Sequence, residues 1–373
     1  MTRKRSLTLV VIVVTVLISL FCLATYTNLF AGAWITRTSQ QQVVPRSPSE
    51  GKPHGHGLQG MPSRELVSKP SRLLYLVQTE SCLPSNLRSV EAIGNANTCQ
   101  CDVLVLSYKQ MCSDTPPAHV EYIFNSSTSW GMGRNLLFEV AKRRGEKYLY
   151  YIFMDDDVVL ETKSLWEWFI DFLKRTVGVT INNPWRVFED FLKRIEPAVG
   201  AVDVNSNPHL KDVYAAREQQ GCILKEPSDY LPAAQFDPAF NAFHYQAVEH
   251  LLPYPCKFDS ISWYYTELVV EVKREVMFAG QSVLHTQLIA KNPQHRNYGK
   301  FRRILPPASH WDMIVNEAKV GLPEKYQKAN LLLEWKRDGL EHGKKSSAIC
   351  LPPPPSQVPI KPFAYLDAKG EGN

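Results

Sequence analysis

The sequence predicts an α/β domain, a mixed and mostly parallel sheet with flanking helices, carried behind one transmembrane helix. Three observations predict it. Short apolar runs alternate with helix-patterned segments from Arg72 onward. Ser6 to Thr36 contains no charged side chain. The apolar run Tyr150-Tyr151-Ile152-Phe153-Met154 stops abruptly at three consecutive carboxylates, Asp155, Asp156 and Asp157.

The N-terminal cluster Arg3-Lys4-Arg5 precedes Leu7 to Tyr26, an apolar run long enough to cross a bilayer, which needs about 20 residues. By the positive-inside rule the N-terminus is cytoplasmic and the body of the protein lies on the far side. A cleavable signal peptide ending at Ala31-Gly32-Ala33 is the competing reading. The apolar core of such peptides is about 7–15 residues, so a retained anchor is the expectation. The chain therefore divides into a cytoplasmic tail (1–6), a signal anchor (7–29), a flexible stem (30–70), a folded lumenal domain (71–345) and a Pro-rich tail (346–373). The stem is rich in Gln, Ser, Pro, Gly and His and has few apolar residues able to build a core. The tail opens on Pro352-Pro353-Pro354-Pro355, which lacks the donors a helix or sheet requires.

Hydrophobic residues at 44% and charged residues at 21% are ordinary for a globular protein, and a net charge of +5, evenly spread, argues against a nucleic-acid partner. The cysteines fit an oxidising compartment. Cys99-Gln100-Cys101 is too tight for a zinc knuckle, and with Cys22 in the anchor an odd number remains on the lumenal side. Asn125-Ser126-Ser127 is the only N-glycosylation triplet.

Within the folded domain, Arg72 to Gln78 reads as a first strand, Leu87 to Ile93 as a short helix, Asp102 to Ser107 as a second strand and Val120 to Phe124 as a third. From Gly131 to Arg144 the residues Leu136, Leu137, Val140 and Ala141 recur at helical spacing, and Gly145 ends the helix. The acidic strand follows. Trp166 to Arg175 and Trp185 to Arg194 are near repeats, read as two core-facing amphipathic helices, with Pro184 starting the second and the strand Ala198 to Val202 after it. Strand, helix, strand in this order places ligands beyond the carboxyl ends of the strands, where the aspartates sit.

Like charges side by side repel, so a strand ending in three carboxylates needs something cationic to offset them, unless it is a solvated turn. If the strand continues, alternation projects Asp155 and Asp157 to one face and Asp156 to the other. An all-oxygen pair suits Mg²⁺ or Mn²⁺, which keeps several waters and takes substrate phosphates as further ligands.

The run Trp130-Gly131-Met132-Gly133-Arg134-Asn135, its helix, and then Tyr151 to Val158 resemble the donor half of GT-A-fold glycosyltransferases, where an Arg-Asn helix precedes the strand carrying an Asp-x-Asp motif. Phe236-Asp237 to His244, Leu252-Pro253-Tyr254, Phe258-Asp259 and Trp263 to Gly280 are similar in order to the acceptor half. The resemblance spans about Ser71 to Tyr298. It implies a Rossmann-like donor half and a metal-dependent enzyme of the Golgi type II membrane class, transferring a sugar from a nucleotide-sugar to a glycan, protein or lipid acceptor. Carried over, it implies Asp157 on the metal, Asp155 on the metal or the nucleotide ribose, Asp156 beside the nucleotide, and Arg134 and Asn135 lining the donor pocket. Arg134 is otherwise a surface cation on an amphipathic helix.

An inverting reaction requires a base for the acceptor hydroxyl, and Asp259 and Glu267 are the candidates, each equally readable as a structural ion-pair partner. His285 and His295 are candidates for a third metal ligand. Three rival readings stand beside this one. Asp155-Asp156-Asp157-Val158-Val159 also resembles the nucleophile motif of haloacid-dehalogenase-like phosphatases; that motif normally occupies the first strand of its domain, whereas three strands precede it here. A non-catalytic Ca²⁺-binding protein is the second rival, and a transferase-like scaffold without activity is the third.

Overall fold

In a computed structural model that describes residues 70–162, 183–204, 230–233, 236–278, 281–291, 306–320, 322–324 and 327, the apolar runs become one nine-stranded sheet. The first strands are β1 (Leu73–Thr79), β2 (Cys101–Ser107) and β3 (Val120–Phe124), followed by helix α3 (Trp130–Arg143) and β4 (Tyr150–Asp155). Two four-residue helices, α1 (Ser85–Arg88) and α2 (Ala96–Cys99), lie between β1 and β2. The helix expected over Leu87 to Ile93 is thus shorter and earlier, because Ser89 turns extended and ends it. Next come β5 (Val159–Thr162), α4 (Pro184–Ile195), β6 (Val199–Val204), β7 (Tyr230–Pro232), β8 (Phe240–His244) and α5 (Val248–Leu251). The chain continues through α6 (Trp263–Phe278), β9 (Ser282–Lys291) and α7 (Ala308–Lys319).

The strand order is β3-β2-β1-β4-β8-β6-β9-β5, with β7 on β9. Strands β3, β2, β1 and β4 are parallel, as the alternation of strand and helix predicts. Beyond β4 the expectation of a mostly parallel sheet needs correction. β8 runs antiparallel to both β4 and β6, β5 and β7 run antiparallel to β9, and only β6 and β9 pair in parallel, so the two kinds of pairing are equal in number. β8 enters without a described crossover helix, and nothing in its apolar pattern (FNAFH) encodes direction.

Strand alternation divides the core between the two faces. Tyr75, Val77, Ile152, Met154 and Phe240 pack with Trp185, Phe188 and Phe191 of α4 on one side. Leu74, Leu76, Leu106, Phe153 and Phe243 pack with Leu137, Phe138 and Ala141 of α3 and Val270 of α6 on the other. A third cluster joins α6 to α7. Burying a Leu or Phe side chain stabilises by roughly 1.5–3 kcal/mol, so the clusters hold both helix layers to the sheet. Helix α4 starts as its sequence predicts, with Pro184 in the first turn and the Asn183 side chain accepting from the Trp185 N–H at 2.9 Å.

Two disulfides form, Cys82–Cys112 and Cys99–Cys101, and among the described residues Cys256 is free. No described helix is long and apolar enough to cross a membrane. The anchor Leu7 to Tyr26, the stem, the first of the two similar helices (Trp166 to Arg175), His295 and the Pro-rich tail lie outside the described residues.

Candidate active site: an acidic turn on a buried arginine

Asp155 ends β4, and alternation sets its side chain on the face of Tyr151 and Phe153, the face covered by α3. Arg134, from the second turn of α3 and only 2% exposed, meets it there. Its Nη2 donates to Asp155 Oδ1 at 2.9 Å and to the Pro238 carbonyl at 2.8 Å. The guanidinium lies 4.3 Å from the centre of the Trp130 ring. A strand that ends in carboxylates needs a cation, and the first cation it finds is this arginine. The Arg134 guanidinium is thus buried against Asp155, Pro238 and Trp130 instead of standing on the helix surface, and its Nε and Nη1 have no hydrogen-bond partner among the described residues.

Past Asp155 the strand geometry stops. The Val158 N–H donates to the Asp155 carbonyl at 3.3 Å, forming a turn with Asp156 and Asp157 at its centre. The alternation expected to set Asp155 and Asp157 on one face thus does not reach Asp157. Asp156 and Asp157 are buried, and Asp155 keeps 18% of its side chain exposed. Burial pushes the Asp155 carboxyl up to about 7; Arg134 pulls it down, while Asp157, Asp156 and Asp237 push it further up. Four carboxylates thus act together at one strand end.

Asp237 is the site residue to which the sequence reading assigned no role. It arrives on the loop between β7 and β8, where its carboxylate accepts the Ala239 N–H at 3.0 Å and the Ala239 carbonyl in turn accepts the Asp155 N–H at 2.9 Å. An Asp-Pro pair is a turn signal, and Asp237-Pro238 was the available hint.

Asn135 also departs from its expected role. Its side chain donates to the Tyr254 carbonyl at 2.8 Å and accepts the Tyr254 N–H at 2.8 Å, a two-way clamp that fixes the Leu252-to-Tyr254 loop to α3, and the cavity it lines lies with Phe138, Leu252 and Pro253. Asp259 is drawn into a structural task as well. Its Oδ2 accepts from the Gly131 N–H at 2.9 Å and from the Ser129 hydroxyl, and its Oδ1 accepts from Thr266 at 3.0 Å. The carboxylate therefore caps the N-terminus of α3, where the exposed N–H groups and the helix dipole favour an anion. Gly131 has no side chain because a Cβ there would meet Asp259 Oδ1 at 2.9 Å. Both carboxylate oxygens of Asp259 are thus engaged in positioning α3.

Glu267, near the start of α6, is buried close to this group. Burial pushes the Tyr254 hydroxyl up to about 12; Arg134 pulls it down, and Glu267 and Asp155 push it up. Tyr254 thus lies within the electrostatic reach of all three. Trp130 packs on Tyr254 at 5.3 Å and on Trp263 at 6.1 Å, an aromatic wall beside Arg134.

His285 does not join the aspartates. It lies buried in β9 between Phe191 and Tyr230, each 5.2 Å away. The acidic turn approaches β9 at Lys291, opposite Val159, six residues beyond His285, and β9 shifts its register against β6 between His285 and Ile289. His285 is thus a packed core histidine rather than a third ligand.

Among the described residues, the one grouping of three His, Cys, Asp or Glu ligand atoms within 4.8 Å of one another is Cys82, Cys112 and Asp114, whose sulfurs are joined in the disulfide. The acidic turn is therefore no closed three-ligand cage. An oxygen-only site contributing one or two carboxylates fits Mg²⁺ or Mn²⁺, which completes its shell with water and phosphate, and does not fit zinc.

No protein-family model matches the chain, and no curated protein matches it. Among solved structures it is similar to S. aureus TarS 1-349 in complex with UDP-GlcNAc, with a TM-score of 0.41, 11% identity, 73% of this chain covered and 73% of that one. It is also similar to TarS 1-349 alone, with a TM-score of 0.40, 10% identity and 73% and 72% covered. A third is GalNAc-T7 with UDP, GalNAc and Mn2+, with a TM-score of 0.38, 8% identity, 74% of this chain covered and 51% of that one. These overlaps are too shallow to bear on activity, and the chemistry is read from the site's own residues.

Proposed function

We propose that the protein is a metal-dependent glycosyltransferase that moves a sugar from a nucleotide-sugar donor to a glycan, protein or lipid acceptor. The observation that carries this reading is the acidic turn Asp155–Val158, held by Arg134 at the carboxyl end of β4, which pairs in parallel with β1 and antiparallel with β8. Ligands of open α/β sheets bind beyond the carboxyl ends of strands. Burial and the neighbouring Asp157, Asp156 and Asp237 raise the Asp155 carboxyl against the pull of Arg134, and a divalent ion at this strand end would favour the ionised carboxylate.

In the proposal Asp155 and Asp157 hold the ion. When bound, it would bridge the donor diphosphate and offset the charge of the leaving group. Arg134 keeps Asp155 oriented, Asp259 fixes the start of α3, and Asn135 fixes the Tyr254 loop beside it. Of the two acids considered as base in an inverting displacement, Glu267 retains the role, and Asp259 becomes a positioning residue.

The proposed setting is a single-pass type II protein of the Golgi or endoplasmic reticulum membrane with the folded domain lumenal. The two disulfides support an oxidising compartment. The phosphatase reading is weakened by the place of β4, which follows three other strands of the same sheet, and by Arg134, which occupies the carboxylate that would attack phosphorus.

The experiment is hydrolysis of a panel of nucleotide-sugars by the purified protein with and without Mn²⁺, because slow donor hydrolysis needs no acceptor. Metal-dependent release of one nucleotide is the expected result. Turnover of simple phosphate esters with a covalent phospho-intermediate on Asp155 would favour the phosphatase instead.

A further inference from the structure

The triplet Asn125-Ser126-Ser127 plays no part in the acidic site, and its surroundings give it another use. It follows β3, the outermost strand on its side of the sheet. Its backbone is fixed: the Asn125 N–H donates to the Ser107 carbonyl at 3.1 Å, and the Asn125 carbonyl accepts from the Thr128 hydroxyl at 3.2 Å. The side-chain oxygen is committed too, since Oδ1 accepts the Ser127 N–H at 2.9 Å. Nδ2 has no hydrogen-bond partner among the described residues. Asn125 is part-exposed, Ser126 and Ser127 are exposed, and Phe124 beside them is 41% exposed.

We infer that Asn125 carries an N-linked glycan. The inference rests on the lumenal placement proposed above, which delivers the chain to the enzyme that attaches such glycans. The co-substrate is a lipid-diphosphate-linked oligosaccharide. The bond formed joins Asn125 Nδ2 to the anomeric carbon, and the bond broken joins that carbon to a phosphate oxygen. The amide proton passes to the attaching enzyme's base, and the diphosphate leaves on its lipid. The folded loop accommodates the product because Oδ1 is held by the Ser127 N–H while Nδ2 has no partner among the described residues. A glycan here also shields the free edge of β3 from pairing with another strand.

The test uses the full-length chain with a C-terminal epitope, synthesised into sealed microsomes and analysed by protease protection and by peptide N-glycosidase. The expected result is a protected epitope and a single mobility step that the glycosidase removes and that both Asn125→Gln and Ser127→Ala abolish. A protected epitope with no such step overturns the glycan and leaves the lumenal reading standing. A step that persists in either variant also overturns the assignment to Asn125. A protease-accessible epitope overturns both the glycan and the lumenal placement.

Discussion

At the scale of single residues, the structure reassigns charge. Arg134, expected beside a diphosphate, pairs with Asp155 from within the core. Breaking a buried ion pair from one side costs about 3–5 kcal/mol, because the remaining charge stays buried and uncompensated. Arg134→Met should therefore lower stability by about that much, measured by urea unfolding, and Arg134→Met combined with Asp155→Leu should recover a large part of it. Wild-type stability in Arg134→Met together with lost nucleotide affinity would return the arginine to the ligand. Asp259→Asn should cost about 1–3 kcal/mol through the weakened cap on α3. It should leave nucleotide affinity unchanged in calorimetry. A fully stable Asp259→Asn protein that binds donor and fails to transfer would restore Asp259 as base. Glu267→Gln should show that last pattern, with donor binding kept and transfer lost.

At the scale of elements, the strands β1 to β4 and helices α3 and α4 were legible because their periodicities are strong and their ends are marked by Gly145, Pro184 and Asp155. The acidic turn was located correctly and its geometry was not. Strand alternation holds only while the strand lasts, and β4 ends at the first of the three aspartates. The glycines of the Trp130-to-Asn135 run illustrate another limit of pattern reading: Gly133 is small because a Cβ would meet the Gln78 amide at 1.9 Å and Leu106 at 2.9 Å, contacts across helix and sheet that no local pattern reports. Gly133→Ala should destabilise by about 1–3 kcal/mol in thermal or urea unfolding, as overpacking does. The seating of α4 on β1 has a pH signature. The buried Glu189 accepts from the Tyr75 hydroxyl at 3.0 Å and pairs with Arg186 at 2.9 Å. Burial raises its carboxyl from 4.5 to about 7 against the pull of Arg186. A raised acid keeps its proton in the folded state while the unfolded chain loses it, so this group's contribution to stability falls as pH rises from about 4.5 to about 7 and is level above. Glu189→Gln should remove that decline, and identical pH slopes in variant and wild type would refute it.

At the scale of the whole molecule, the joining of a parallel half to an antiparallel half at β4 and β8 gives the acidic turn its setting, and this join was not visible in the sequence. Strand direction depends on which neighbours meet, and β8 meets both β4 and β6 across long stretches of intervening chain. The same long-range closure brings Asp237, Tyr254 and Asp259 to α3 and β4, so the sequence named Arg134, Asn135 and Asp259 at the site but not the contacts that hold them. The central claim is that Asp155 and Asp157, in this setting, hold a divalent ion against a nucleotide diphosphate. Its most direct test is calorimetric titration of nucleoside diphosphates into the protein with and without Mn²⁺, for wild type, Asp155→Asn and Asp157→Asn. The account predicts affinity in the wild type for one nucleotide that depends on Mn²⁺, and its loss in Asp157→Asn while the variant remains folded. The absence of Mn²⁺-dependent affinity for every common nucleoside diphosphate in the wild-type protein would contradict it.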